Sequence, residues 1–549
     1  VAGVHGVEVQ GEDVTELEFE VRDKDLAGRV GRLKLRSGTL ETPAFFPVVH
    51  PFKQDEDLPL TRVRELGFGQ VITNAYIIMR TLGGRPARVG ELLGFDGIVM
   101  TDSGAYQLLV YGLERIQIDP IELASYEEVL EPDIAVIVDI PTPDTATREE
   151  AEFSASETLR RAYLTLDIVR RSSGRIAWVL PVQGGVHLDV LRSSAERSRE
   201  LLDYYAIYAV GSPVKALEKY ELWRVVDMVF TVRSTVPLDK PLHLFGGGHP
   251  LIIPIAVALG VDFFDSASYV LYARDGRYMT PYGTLRLEQM SYFPCDCPVC
   301  RRYEPADLLE MPRSERVRLL AEHNLSTIGR TVREVKEAIR EGRLWELLER
   351  FSRYHPSARE AFTRLLKYVR WVERLDSRFK GAARGLFLVE YTSYWRPELV
   401  RHRNFLRRYV EDRLSRRLYG NLLLVPGDPK DKPFAESRVV RAALEVLRAR
   451  GKDLRTYLKL AYTPYFDLVP LEVSYTYPYS QYETSRSLSR WLVDRMVRRV
   501  AEVVSRFGGR VVVVTYRRYR WSSRDFLEGG LCKLVDCGRV EFLEIQDYN

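Results

Sequence analysis

Eight short apolar runs recur between residues 40 and 270, each ending on glycine, proline or a polar residue. They are LETPAFFPVV, QVITNAY, GIVMTDSG, DIAVIVDIP, IAWVLPVQGG, YYAIYAVGS, PLHLFGGGHP and VDFFDSASY. Charged amphipathic stretches separate most of them, among them REEAEFSASETLRRAYLTLDIVRR and HLDVLRSSAERSRELLDYY. A run that is apolar throughout marks a strand covered on both faces, and a periodic charged stretch marks a surface helix. Their alternation implies a parallel sheet. Eight such units predict an α/β chain built on a (β/α)8 TIM barrel. An open doubly wound sheet is the competing arrangement, weakened because no GxGxxG opens a helix after the first strand.

Barrels of this kind carry their reactive groups at the C-terminal ends of the strands. The candidates there are Asp102, Ser103, Asp139, Gln183, Gly184, His249 and Asp265. An aspartate at a strand end often only caps the next helix. Three of them around one barrel instead converge on a single mouth. Two carboxylates facing one substrate do nucleophilic and acid/base work on glycosidic bonds. A third carboxylate and a glutamine amide fit the edge of a purine: a carboxylate can accept two N–H bonds from guanine's N1 and 2-amino group, and an amide or backbone N–H can donate to its O6. Glycines in VQGG and FGGGHP let the backbone approach a flat ligand. Tyr106 either stacks on such a base or packs under the mouth.

After the last run come Cys295, Cys297 and Cys300, then His323. C-x-C-x2-C followed by His is a four-ligand set that suits Zn2+ in a closed, structural site, one ion per chain. Pro294 and Pro298 bracket a tight turn. Cys532 and Cys537 stand apart, and we expect two free thiols there, with a disulfide as the alternative. The chain has 549 residues and a net charge of +4. No apolar run reaches the roughly 18 residues of a membrane span. The first residues are too acidic and polar for a signal peptide, so a cytoplasmic location without membrane attachment is expected.

The segments TDSGAYQLLVYG, VDIPTP, VQGG, HLFGGGHP, GVDFFDSASYVLYARDGRYMTPYGT and FPCDCPVC…EHN occur in order. From about residue 17 to about 350 the chain resembles the archaeal tRNA-guanine transglycosylases. The resemblance implies exchange of guanine at position 15 of the tRNA D-arm for 7-cyano-7-deazaguanine (preQ0), on the way to archaeosine. It implies Asp265 as the nucleophile on ribose C1′, the neighbouring Asp262 being the obvious confusion. Asp102 is implied as the general acid/base. Asp139, Ser103, Gln183 and Gly184 are implied in base recognition, with Tyr106 where the family often has Phe. Cys295, Cys297, Cys300 and His323 match the zinc ligands. A homodimer is implied as well. GSPVK after the sixth run departs from the family's more apolar turn.

The expected domains are a catalytic barrel over 1–350 with a zinc-binding subdomain inserted at 290–325, a helical linker over 351–384, and a smaller α+β accessory region over 385–549. In the last, RPELVRHRNFLRRYVEDRLSRRL is an arginine-rich helix, and VVVVTYRRYRW runs into alternating arginine and aromatic residues. Arginines neutralise phosphates and aromatics stack on bases, although a solvated helix face explains either element alone. VPLEVSYTYPYSQYE resembles a motif shared with archaeosine synthase, whose nucleophilic cysteine is replaced here by Gly427. The family usually ends in a PUA domain; no PUA-like stretch is found, so a separate PUA protein is a possible partner. An archaeosine synthase-like paralogue and a catalytically silent tRNA-binding subunit are the alternative functions. Intact Asp102 and Asp265 argue against both.

Overall fold

The computed structural model describes residues 17–105, 118–380, 385–485 and 488–546. The chain divides into two compact units, the first ending at Tyr368 and the second starting at Val369. In the first, a three-stranded antiparallel sheet of β1 (Phe19–Asp25), β2 (Gly28–Leu35) and β3 (Gly38–Glu41) precedes the barrel. Eight parallel strands follow: β4 (Ala44–Pro47), β5 (Gln70–Asn74), β6 (Ile98–Asp102), β7 (Ile134–Val136), β8 (Ala177–Val182), β9 (Ile207–Val210), β10 (Leu242–Leu244) and β11 (Phe263–Ser266). Each lies inside one of the eight apolar runs. β4 pairs with β11, and the Val48–Ile72 bridge joins its far edge to β5, so the sheet closes.

Closure buries alternate strand residues inward. Phe46, Ile72, Met100, Val136, Val179, Ala209 and Phe263 form one cluster with Leu33, Leu35 and Leu40 of the antiparallel sheet. These leucines pack beneath the barrel, which leaves the C-terminal strand ends as its mouth. The surface helices start where local chemistry allows. Thr147 and Glu150 form a reciprocal capping box at the head of Arg148–Leu164, satisfying two donors the helix cannot.

After β11 a short helix leads into a hairpin, β12 (Arg277–Thr280) and β13 (Gly283–Arg286), then the cysteine loop, then the 28-residue helix Arg313–Arg340. Asn324 on that helix is fully buried. Its amide accepts from Met279 N–H (2.8 Å) and donates to the carbonyls of Tyr269 and Arg277 (both 3.1 Å). One side chain thereby ties hairpin, barrel helix and long helix together.

The 351–384 stretch divides between the two units. Pro356–Leu365 belongs with the barrel because Arg364 makes a bidentate pair with buried Asp227 (2.6 and 2.5 Å), and Tyr368 donates to the same carboxylate (2.6 Å). The second unit is more regular than the α+β fold expected. Its sheet runs in the order β17 (Asp467–Pro470), β16 (Tyr457–Thr463), β15 (Asn421–Pro426), β19 (Arg510–Tyr516), β20 (Val540–Ile545), all parallel except β17. A separate parallel pair joins β14 (Leu386–Leu388) to β18 (Tyr482–Thr484). Two apolar clusters cover the two faces of the larger sheet. Cys532 and Cys537 form a disulfide, correcting the expectation of free thiols; their Cα atoms are 5.3 Å apart, within ordinary bridging distance. Among the described residues no helix is long and apolar enough to cross a membrane.

Asp262 serves this frame. It lies fully buried just before β11, pairs with Arg29 of β2 through both carboxylate oxygens (2.8 Å each), and accepts from Leu242 N–H (2.8 Å). Asp262→Ala would strand a buried guanidinium. We expect a loss of about 3–5 kcal/mol in denaturant unfolding. A loss below about 1 kcal/mol would contradict the role.

Candidate active site

The barrel register brings the predicted carboxylates to one mouth. Asp102 is the last residue of β6 and stands beside Asn74, the last of β5. Asn74 caps its own helix by accepting from Ile77 N–H (2.8 Å), and its Nδ2 lies 3.5 Å from Asp102 Oδ2. Asp265 sits near the end of β11. Its Oδ1 accepts from His243 Nε2 (2.9 Å) and from Gly246 N–H (3.0 Å). Both donors fall on Oδ1, so Oδ2 has no protein donor among the described residues. That fixes the carboxylate and leaves one oxygen open.

The mouth is electrostatically crowded. Burial pushes Asp102 up to about 7, helped by the negative charges of Asp139 and Asp265; N–H donors from Gly104 and Ser103 oppose the rise. Burial also pushes Asp139 up to about 6, against the hydrogen bond from Gln183. Beneath them, fully buried Glu127 is raised well above the carboxylate range, first by burial and then by Asp102, despite a hydrogen bond from Thr101 (2.8 Å). Carboxyls arranged this way hold and release protons near neutral pH.

Asp139 and Gln183 form a fixed polar pair. Gln183 Nε2 donates to Asp139 Oδ2 at 2.5 Å. Its Oε1 accepts from Ser212 Oγ (2.8 Å), and Ser212 in turn accepts from Thr142 N–H (2.8 Å). A Cβ on Gly211 would come within 2.4–2.7 Å of the Gln183 amide, so glycine is required there. The GSPVK turn is therefore a support for Gln183. Gly184 (φ +142°) packs against Leu191 backbone, and its N–H is donated to Thr142 Oγ1 (3.2 Å). Ser103 is fully buried and its hydroxyl has no partner among the described residues, which leaves it for a ligand. Tyr106 lies outside the described residues.

One candidate falls away and one residue is added. His249 does not join the carboxylates; its Nδ1 accepts from Leu251 N–H (3.2 Å), its ring faces Tyr220 and Tyr272, and burial lowers its pKa to about 4. His243 does join them, from the middle of β10. Sequence reading passed over it, along with Ser212, Asn74 and Glu127.

Cys295, Cys297, Cys300 and His323 also come together, with one ligand atom of each within 4.8 Å of the others. His323 Nε2 faces the Met279 carbonyl at 2.8 Å, while Nδ1 faces Cys297 and Cys300 (3.5 and 3.4 Å). Donation through Nε2 selects the tautomer with a free Nδ1 lone pair. Tyr278 stacks on the imidazole at 3.7 Å. Three sulfurs and one imidazole nitrogen in this arrangement fit a single metal ion.

The family model described as queuine tRNA-ribosyltransferase matches residues 24–357. The chain belongs to this family. It is 43% identical over 527 residues to the tRNA-guanine(15) transglycosylase of Aeropyrum pernix, covering 95% of each chain. It is 41% identical over 488 residues to that of Sulfolobus acidocaldarius, covering 89% of this chain and 93% of the relative. With that of Methanocaldococcus jannaschii it shares 35% identity over 475 residues, 85% of this chain and 68% of the relative. The segment matched by the ribosyltransferase family contains Asp102, Asp139 and Asp265 and all four metal-fitting residues.

A carboxyl raised on folding binds its proton more tightly in the folded chain. Its stabilisation is complete below the unfolded value of 3.8 and is lost as pH rises through about 7. Asp102→Asn removes that loss. The variant should melt at higher temperature than the parent at pH 8, with the advantage shrinking at pH 5 and closing near pH 4. A shift equal at every pH would contradict the raised pKa.

Proposed function

We propose that this chain exchanges guanine at position 15 of the tRNA D-arm for preQ0, the first tRNA-bound step toward archaeosine. The observation that carries the reading is the meeting of Asp265, with one oxygen held and one open, and Asp102, with its raised pKa, at one barrel mouth. Asp265 Oδ2 attacks ribose C1′ as the C1′–N9 bond breaks, and Asp102 gives its proton to departing guanine. Incoming preQ0 then loses its N9 proton to Asp102 and attacks C1′, releasing Asp265. Two inversions retain configuration. Asp139 accepts from the purine N1–H and 2-amino group, and the Gln183–Ser212 support keeps it aimed. Ser103, Gly184 and Tyr106 complete the base site.

The relatives named above are transglycosylases acting at tRNA guanine 15, which supports the same substrate here. The metal-fitting set takes Zn2+, which holds the cysteine loop against the long helix as a closed structural centre. It stands apart from the mouth chemistry.

Labelled preQ0 should enter a tRNA transcript, and nucleotide mapping should place the label at position 15. Asp265→Asn should lower that incorporation by at least about a thousandfold, as expected when a group acting in the transition state is removed, yet retain tRNA binding. An active Asp265→Asn enzyme would contradict the assignment. Elemental analysis should find one zinc per chain. His323→Ala should lose the metal and lower the unfolding temperature while leaving purified, folded enzyme with its Asp chemistry. Full metal retention would refute the ligand set.

A further inference from the structure

The second unit contains a cavity of about 140 Å³ whose lining includes Arg370, Arg403, Arg407, Arg495, Trp395 and Asp467. Four guanidiniums face one carboxylate. They come from three helices: Arg370 from Val369–Leu375, Arg403 and Arg407 one turn apart on Pro397–Ser415, and Arg495 from Arg490–Arg506. Arg403 is fixed, donating to the carbonyls of Tyr465 (3.0 Å) and Tyr394 (2.6 Å) with its guanidinium 3.4 Å from the Tyr394 ring centre. Arg495 donates to the Tyr394 hydroxyl. Arg370 and Arg407 are exposed and have no carboxylate within ion-pair distance among the described residues. They are the cations this cavity leaves for an incoming group.

Asp467 sets the second requirement. It begins β17, is 8% exposed, and its Oδ2 meets the Tyr394 hydroxyl at 3.4 Å. Its Oδ1 is buried without a partner among the described residues. Such an atom costs free energy unless something donates to it. Guanidiniums only donate and a carboxylate only accepts. An occupant must therefore present acceptor oxygens to the arginines and one hydroxyl hydrogen to Asp467. Phosphate oxygens beside a ribose 2′-hydroxyl meet both needs, and Trp395 offers a ring for the attached sugar and base. Free phosphate shares the first chemistry and brings its own hydroxyl, but leaves the aromatic wall unused.

We infer that this cavity is a ribose-phosphate site that grips an RNA strand away from the barrel mouth. The inference rests on the tRNA reading above and adds a named place of contact. Its test uses the full chain and a fluorescent tRNA transcript, with anisotropy followed over a salt series. Arg370→Ala/Arg407→Ala should bind about tenfold more weakly at 0.15 M salt, with a log–log salt slope shallower by about one. Asp467→Asn suits the left-handed backbone there (φ +63°) and should bind a single-stranded RNA several-fold more weakly, with affinity for DNA of the same sequence unchanged. Inorganic phosphate, against chloride at matched ionic strength, is the second probe. Unchanged tRNA affinity and slope in the double variant would overturn the site while leaving the tRNA reading intact. A phosphate response lost in that variant, with tRNA binding unaltered, would assign the cavity to free phosphate and overturn the RNA assignment. If the parent chain itself fails to bind tRNA, both readings fall.

Discussion

β4 has to satisfy two neighbours at once, and the site depends on its doing so. Along one edge it pairs in register with β11, Phe46 opposite Asp265. Along the other, Val49 N–H reaches the Ile72 carbonyl (2.8 Å) beside the Val48–Ile72 bridge. Without that second edge the sheet would be open, and β6 and β11 would carry their aspartates away from each other. Closure brings Asp102 and Asp265, 163 residues apart in the chain, to one barrel mouth. The Arg29–Asp262 pair works for the same end, fastening β2 beneath the last barrel strand.

Closure also explains the electrostatics. Burial where water is scarce raises a carboxyl's pKa, and an ionised neighbour raises it further. Asp102 bears most of this at the mouth, with Asp139 and Asp265 both contributing to its rise. Asp265 is instead supplied with two N–H donors on one oxygen. In the proposed reaction this difference suits Asp102 to carry a proton and Asp265 to form a bond. The metal-fitting set follows the same economy of placement, with Asn324 and His323 anchoring consecutive positions of one helix to the hairpin.

Much of the barrel was legible in the sequence because its strands are buried on both faces and so read as uninterrupted apolar runs. The cysteine cluster was legible because its ligands lie close together and cysteine is rare. The aspartates stood out as charged residues at the ends of apolar runs. The supporting residues were not legible for physical reasons. His243 sits inside an apolar run and acquires a role only through its neighbour strand. Glu127 belongs to a helix that reads as a charged surface element, yet it is fully buried. Ser212 belongs to a turn that departs from the family pattern, and its hydroxyl meets Gln183 only through the fold. The Cys532–Cys537 bridge depends on backbone geometry that spacing alone does not specify. The unit boundary at Tyr368 turns on a buried ion pair between residues 137 apart.

The central claim is that Asp265 forms the covalent bond while Asp102 moves the proton. Acid-quenching the enzyme with tRNA, digesting both components and sequencing the adducted peptide by mass spectrometry tests it most directly. The account predicts a ribose adduct on the peptide containing Asp265 and none on the peptide containing Asp102. An adduct on Asp102, or turnover with no adduct on either, would contradict it.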